Sequence, residues 1–370
     1  MSWQEPAPEE REAGARSWEV VREAFEARIP SPRPRDRRPL VLVAIAAAVL
    51  AAAFTPPGLA VLGSLRDAVR GEEGAKPALL SLPSARTRLL VNSAQGAWVV
   101  QSDGSKRLLA GYRDASWSPQ GLYLAAVRGH ELRALEPDGD VHWSIGRLNP
   151  ALPRWSNFGG GNERVVYFAG RTLRVVGGDG RGDRLLAQRS LLVVPAWRPK
   201  THVIAYADAE GPVIVADTDR RSILRRLPTK PPRALAWSDD GRRLLVVTQT
   251  SADVFDAKGR AINSTPLRGT PMSAVFAPGS HRFVVTVRQP ARSEVLLIQA
   301  DRTGARILFS GAGEFGSVAW SPDGKWLVLG WDSADQWLFL RSAAVRKLRA
   351  VSRIEEAFGP NSQIAGWCCP

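Results

Sequence analysis

From about Leu80 onward, short apolar runs alternate with clusters of Gly, Asp and Pro, and the runs are rich in β-branched and aromatic residues. Their length and composition predict strands joined by tight turns. After Trp320 the order is Lys325-Trp326-Leu327-Val328-Leu329-Gly330-Trp331, then Gln336-Trp337-Leu338-Phe339-Leu340, then Lys347-Leu348-Arg349-Ala350-Val351. With the short strand that carries the aromatic, each such unit holds four strands.

The aromatic itself recurs. Trp117, Trp155, Trp197, Trp237, Phe276 and Trp320 stand 38, 42, 40, 39 and 44 residues apart. Four units open as Ala115-Ser116-Trp117-Ser118-Pro119-Gln120-Gly121, Pro195-Ala196-Trp197-Arg198-Pro199, Leu235-Ala236-Trp237-Ser238-Asp239-Asp240-Gly241 and Val318-Ala319-Trp320-Ser321-Pro322-Asp323-Gly324. Pro153-Arg154-Trp155-Ser156-Asn157 and Ala274-Val275-Phe276-Ala277-Pro278-Gly279 are degenerate copies. Four antiparallel strands repeated at roughly 40 residues mark an all-β fold, the β-propeller, and the unequal spacing fits blades whose loops vary. In the turn, Pro presets φ at its first position and Asp-Gly supplies the reversal.

The two ends set the blade count. Upstream of Trp117, the runs Thr87–Val91, Ala97–Val100 and Lys106–Leu109 form a unit without its opening strand. Ile364-Ala365-Gly366-Trp367 repeats that opening 47 residues after Trp320. Pairing the tail strand into the first blade removes two open sheet edges. Seven blades are therefore expected, with Trp367 completing the set; the alternative is a six-bladed ring with a loose tail.

The segment Ala319 to Lys325, Ala-Trp-Ser-Pro-Asp-Gly-Lys, resembles the repeat of TolB-type and WD-like bacterial propellers. The likeness spans roughly Leu80 to Pro370 and implies a fold without an activity, since such propellers host unrelated functions.

Ahead of the repeats, Leu40 to Phe54 is uncharged and apolar, and the apolar character resumes through Leu62. Residues 40–62 reach the length of a membrane span, although Pro56-Pro57 breaks or kinks the helix. Arg28, Arg33, Arg35, Arg37 and Arg38 precede it, while Arg66 and Arg70 beyond it are balanced by Asp67, Glu72 and Glu73. A single-pass protein of the cell membrane is expected, with residues 1–39 cytoplasmic, 63–79 a linker and the propeller at 80–370 extracytoplasmic. An interfacial or re-entrant segment is the alternative that best suits the Pro-Pro break. Within 1–39, Ala15 to Arg28 reads as an amphipathic helix with Trp18, Val21 and Phe25 on one face. It is either an element that docks a cytoplasmic protein partner, in a layout like that of some anti-sigma factors, or a disordered tail with transient helix.

The formal net charge is +14, but Arg supplies 43 of the 50 basic residues, an imbalance that a GC-rich genome produces without selection for binding. Outside the juxtamembrane cluster the arginines are scattered, so no nucleic-acid partner is inferred. Cys368 and Cys369 are adjacent, and because successive strand residues face opposite ways an ordinary disulfide between them is disfavoured.

Gly311-Ala312-Gly313-Glu314-Phe315-Gly316 matches a dinucleotide fingerprint as a string but leads into a strand, where no helix N-terminus meets a phosphate. Gly159-Gly160-Gly161-Asn162 and the Asp-rich stretches 138–140 and 177–183 read as turns. His130, His142, His202 and His281 fall in different units with no catalytic spacing. No catalytic residue, metal ligand or cofactor is assigned. The expected function is a non-enzymatic interaction or sensor module whose propeller face meets a protein or envelope polymer; the alternative is a hydrolase or lyase with its site at the central channel mouth.

Overall fold

The computed structural model describes residues 81–159, 161–342 and 348–369. The expected span at 40–62, the linker, and the helix carrying Trp18, Val21 and Phe25 lie outside these residues. Among the described residues, no helix is long and apolar enough to cross a membrane.

The described strands form seven four-stranded antiparallel sheets. Six are sequential meanders: blades 2 to 7 occupy 113–146, 150–187, 196–227, 234–266, 270–312 and 315–352. Blade 1 combines Arg88–Ser93, Gly96–Val100 and Lys106–Ala110 with the tail strand Gln363–Cys368. The innermost strand of each blade lies beside that of the next, and the tail strand touches those of both blade 7 and blade 2, so the ring closes.

The apolar core lies between blades. Val166, Phe168, Leu173 and Val175 of blade 3 pack on Trp197, Ile204, Tyr206 and Ile214 of blade 4, and each other seam repeats this with its own residues. A middle strand is therefore buried on both faces, which is why Arg164–Ala169 reads Arg-Val-Val-Tyr-Phe-Ala with no polar alternation.

The tail closes blade 1 as the sequence implies, with Leu89 opposite Trp367 and Val91 opposite Ile364. Trp367 packs edge-on against Phe339 of blade 7, and its Nε1 donates to Thr87 Oγ1 at 2.9 Å. A short helix, α1 (Ile354–Phe358), precedes this strand; it buries Ile354 and Phe358, and Phe358 stacks on Trp337 at 4.8 Å. One turn of helix is too brief to print a period in the sequence, and no sequence feature signals it.

At the end of the tail the side chains of Cys368 and Cys369 lie side by side. The strand ends at Cys368, and Cys369 turns into the left-handed region at φ 58°, so strand alternation no longer separates the two side chains. Both sulfurs rest on the Gly121 turn of blade 2. A Cβ on Gly121 (φ +66°) meets Cys369 Sγ at 2.7 Å, Cys368 Sγ at 2.8 Å and Arg88 Nη2 at 2.9 Å, whereas one on Gly279 (φ +63°) meets nothing within 4 Å. Both Gly→Ala changes incur the cost of a left-handed alanine, about 1 kcal/mol. Gly121→Ala also unseats the tail. In thermal melts Gly121→Ala is expected to lower Tm clearly more than Gly279→Ala; equal losses contradict this docking of the tail.

Candidate binding cleft between blades 2 and 3

The repeat aromatics end the innermost strands, and the residue after them does work that the sequence reading missed. Ser118, Ser156, Ser238 and Ser321 are buried. Their hydroxyls accept the backbone N–H of Tyr123, Arg164, Arg243 and Trp326 at 2.8 to 3.0 Å, joining innermost to second strand across the turn. Ser238 and Ser321 donate in turn to Asp240 and Asp323. This explains the Trp-Ser pair as a turn clamp. Trp197 Nε1 donates to the Arg154 carbonyl, tying blade 4 to blade 3.

These turns share one face of the ring with the links between third and outermost strands. On that face a cleft of about 630 Å³ opens at the seam of blades 2 and 3. Blade 2 contributes Gln120, Leu122 and Tyr123 from its clamp turn and His142 and Trp143 from its outermost strand. Blade 3 contributes Trp155, Asn162, Glu163 and the Gly177-Gly178-Asp179 turn. Of the expected repeat residues, the structure brings only Trp155 to this cleft; Trp117, Trp197, Trp237, Phe276, Trp320 and Trp367 serve the other seams.

Two features open the seam. The clamp loop of blade 3 is long, 156–163 against 321–325 in blade 7, and its Asn162 and Glu163 line the cleft. Across from it, glycines let the tryptophans settle: a Cβ on Gly178 comes within 3.0 Å of Trp155 Cζ3, and one on Gly180 within 2.7 Å of Trp143 Cγ. Trp143 Nε1 donates to the Gly178 carbonyl at 2.8 Å. The stretches at 159–162 and 177–183 were legible as turns; that Gly178 and Gly180 leave room for two indoles was not.

Inside, Tyr123 lies nearly parallel to Trp155 (6.4 Å, 23°) and edge-on to His142 (4.4 Å). His142 Nε2 lies 3.0 Å from Glu136 Oε1. Glu163 is half-buried; its backbone carbonyl accepts from Gly178, and its carboxylate receives no hydrogen bond from the described residues. The loop that carries it is held by His202, buried between Asp219 (2.7 Å) and the Asn162 carbonyl (2.8 Å) and stacked on Phe158. The lining contains no lysine or arginine.

A charged rivet secures the same seam. Asp183 of blade 3 accepts from Tyr167 at 2.9 Å and Arg174 at 2.9 Å, and from Arg147 arriving from blade 2. Burial raises the Asp183 pKa, but the hydrogen bonds from Arg174, Arg147 and Tyr167 outweigh it and hold the carboxyl below its usual range. Burial, and then the bond to Asp183, push the Tyr167 phenol up to about 12.

The histidines remain apart. His202 and His281 tie turns of blades 4 and 6 to aspartates, His142 lines the cleft and His130 is exposed; none lies on an innermost strand. Among the described residues no group of three or more His, Cys, Asp or Glu is placed to hold a metal ion. A smaller cavity of about 80 Å³ lies beside α1, where burial raises the Asp332 carboxyl. A shallow one of about 430 Å³ between blades 6 and 7 is lined by Thr270, Arg288 and Glu314, the last two already paired at 2.8 Å. The first of these two is lined by Trp331 and Trp337 but is far smaller than the cleft, and the second has no aromatic lining.

No family model matches this chain, and no curated protein matches it in sequence. Solved structures do share its fold. Hsv2 of Kluyveromyces lactis is similar over 70% of this chain and 90% of its own, with a TM-score of 0.54 at 12% identity. A form of Hsv2 with loop 6CD replaced by a Gly-Ser linker gives 0.55 at 11% identity, over 69% of this chain and 88% of that one. The dihydro-heme d1 dehydrogenase NirN, in complex with DHE, gives 0.51 at 13% identity over 71% of this chain; the match spans 63% of NirN, under two thirds of its length. The chain is a seven-bladed β-propeller. At these identities the likeness is one of fold.

Proposed function

We propose that this protein is a membrane-anchored binding module whose propeller, outside the membrane, engages a protein or envelope-polymer partner through the cleft between blades 2 and 3. The observation that carries the reading is the cleft itself: aromatic walls, a half-buried carboxylate without a partner among the described residues, and an exposed apolar lip at Leu122, 60% exposed. Largely preformed concave sites with a few polar groups among aromatic walls are where proteins hold ligands. The rivet at Asp183 and the His202 tie keep its walls fixed, so that little ordering accompanies capture. The anchor at 40–62 concentrates the module at the membrane, and the helix bearing Trp18, Val21 and Phe25 remains the candidate contact for a cytoplasmic protein.

The test is site-directed photocrosslinking in intact cells. Leu122 lies at the cleft, and Leu192, 59% exposed, on the opposite face. A photoreactive residue at 122 is expected to yield a discrete adduct that the same residue at 192 does not. Adducts from 192 alone, or from neither position, overturn the reading. For the anchor, the chain is expected to resist carbonate extraction from membranes; release into the carbonate wash contradicts that part of the proposal.

A further inference from the structure

The chemistry of the cleft selects among ligands. The whole chain carries 50 Lys and Arg against 36 Asp and Glu, yet no basic side chain other than His142 lines this cavity, and His142 faces Glu136. Two carboxylates line it instead. Asp179 is committed to its own turn, accepting the Arg181 N–H at 3.0 Å, whereas the Glu163 carboxylate takes nothing from the described residues. A half-buried carboxylate beside ring faces is poorly hydrated and gains most from a positive partner. The rings of Tyr123, Trp143 and Trp155 present π-systems, and indole and phenol faces attract ammonium and guanidinium groups. An anionic ligand is repelled by the Glu163 and Asp179 charges there. A neutral sugar can stack on the rings but leaves the Glu163 charge uncompensated.

From this arrangement we infer that the cleft receives an organic cation, the ammonium or guanidinium of a lysine or arginine on a partner peptide, with Glu163 as counter-charge and Tyr123 and Trp155 as walls. The inference rests on the cleft being the binding site. The cation is desolvated against the rings while its charge meets Glu163, and Leu122 at the lip takes the apolar stem or a neighbouring side chain of the peptide. Asn162 and Gln120 offer further acceptors around the same opening.

The experiment uses the full chain purified in detergent and labelled with 5-fluorotryptophan, with Trp143→Phe and Trp155→Phe variants assigning the two cleft signals in the 19F spectrum. The probes are the peptide Gly-Lys-Gly-Lys-Gly, the same peptide with both lysines acetylated, spermidine and maltohexaose. The lysine peptide is expected to shift the cleft signals and to bind at least about tenfold more tightly than its acetylated twin. Glu163→Gln, which removes charge and disturbs no side-chain hydrogen bond among the described residues, is expected to erase that preference. Spermidine binding with the same Glu163 dependence also upholds the cation and assigns it to a free amine.

Equal affinity for the acetylated and unmodified peptides, or an unchanged preference in Glu163→Gln, overturns the inference. Maltohexaose shifting the cleft signals while both cations fail overturns the cation but leaves the cleft as a binding site. Cleft signals that no probe moves, while the lysine peptide binds elsewhere, overturn the inference, and the photocrosslinking at Leu122 then decides separately whether the cleft is a site at all.

Discussion

Replacing Trp367 with alanine is expected to cost about 3–5 kcal/mol, because it empties a buried site in the one blade that two distant ends of the chain build together. The indole is 8% exposed and belongs to a cluster with Leu89, Val91, Ala319 and Phe339, drawn from blades 1 and 7. Its loss removes core volume and also leaves Thr87 Oγ1 without the donor it now has. Every other blade is built from strands consecutive in sequence, but blade 1 joins residues 88–92 to 363–368 and bears the entropy of closing the longest loop in the fold. Trp367→Phe keeps most of the volume and is expected to lose about 1 kcal/mol for the missing hydrogen bond, together with a smaller packing loss. Chemical denaturation of the full chain reads both. A Trp367→Ala midpoint within error of the parent contradicts the role given to the tail.

The second large effect lies at Asp183. Its side chain is 9% exposed and neutralises Arg174 and Arg147, which come from different blades. Asp183→Ala leaves two guanidiniums facing each other in a partly buried seam, and about 3–5 kcal/mol is expected to be lost. The pH dependence carries its own sign. The folded carboxyl titrates below its usual value, so the stability it provides is fully present above the unfolded carboxylate pKa, about 3.9. It is lost as pH falls through the lower folded pKa. The stability gap between parent and Asp183→Ala is therefore expected to be constant from neutral pH down to about 5 and to narrow below about 4. A gap that widens on acidification contradicts the assignment. Because the rivet holds one wall of the cleft to the other, the same variant is expected to weaken ligand capture there as well.

The blades were legible because each is written locally: an aromatic, a Ser-Pro-Asp-Gly type of turn, and apolar runs buried on both faces. The closure was legible because the tail repeats an opening that the first unit lacks. The clamp serines went unread, since a serine after an aromatic looks like any turn residue until its hydroxyl is seen on the next strand's N–H. The two cysteine side chains come together because strand alternation ends before the left-handed turn at Cys369.

The cleft was invisible for a different reason. Tyr123, His142, Trp155, Glu163 and Asp179 come from two blades and meet only when a seam fails to close over them. Nothing in the spacing of Gly177-Gly178-Asp179-Gly180 says that its missing side chains are space for Trp143 and Trp155. Glu163 bears the least signal of all, one acid among 36 Asp and Glu in a basic chain. Its distinction is that, in the fold, no described residue answers its charge.

Hydrogen exchange at the amides of Gln363–Cys368 in the intact chain tests the ring most directly, since blade 1 and every seam derived from it depend on that strand being paired with Arg88–Asn92. Protection matching that of Leu89–Val91, lost only on global unfolding, is the outcome expected. Exchange as fast as that of an unstructured peptide, with Leu89–Val91 still protected, shows a loose tail on an open or six-bladed ring and contradicts the account.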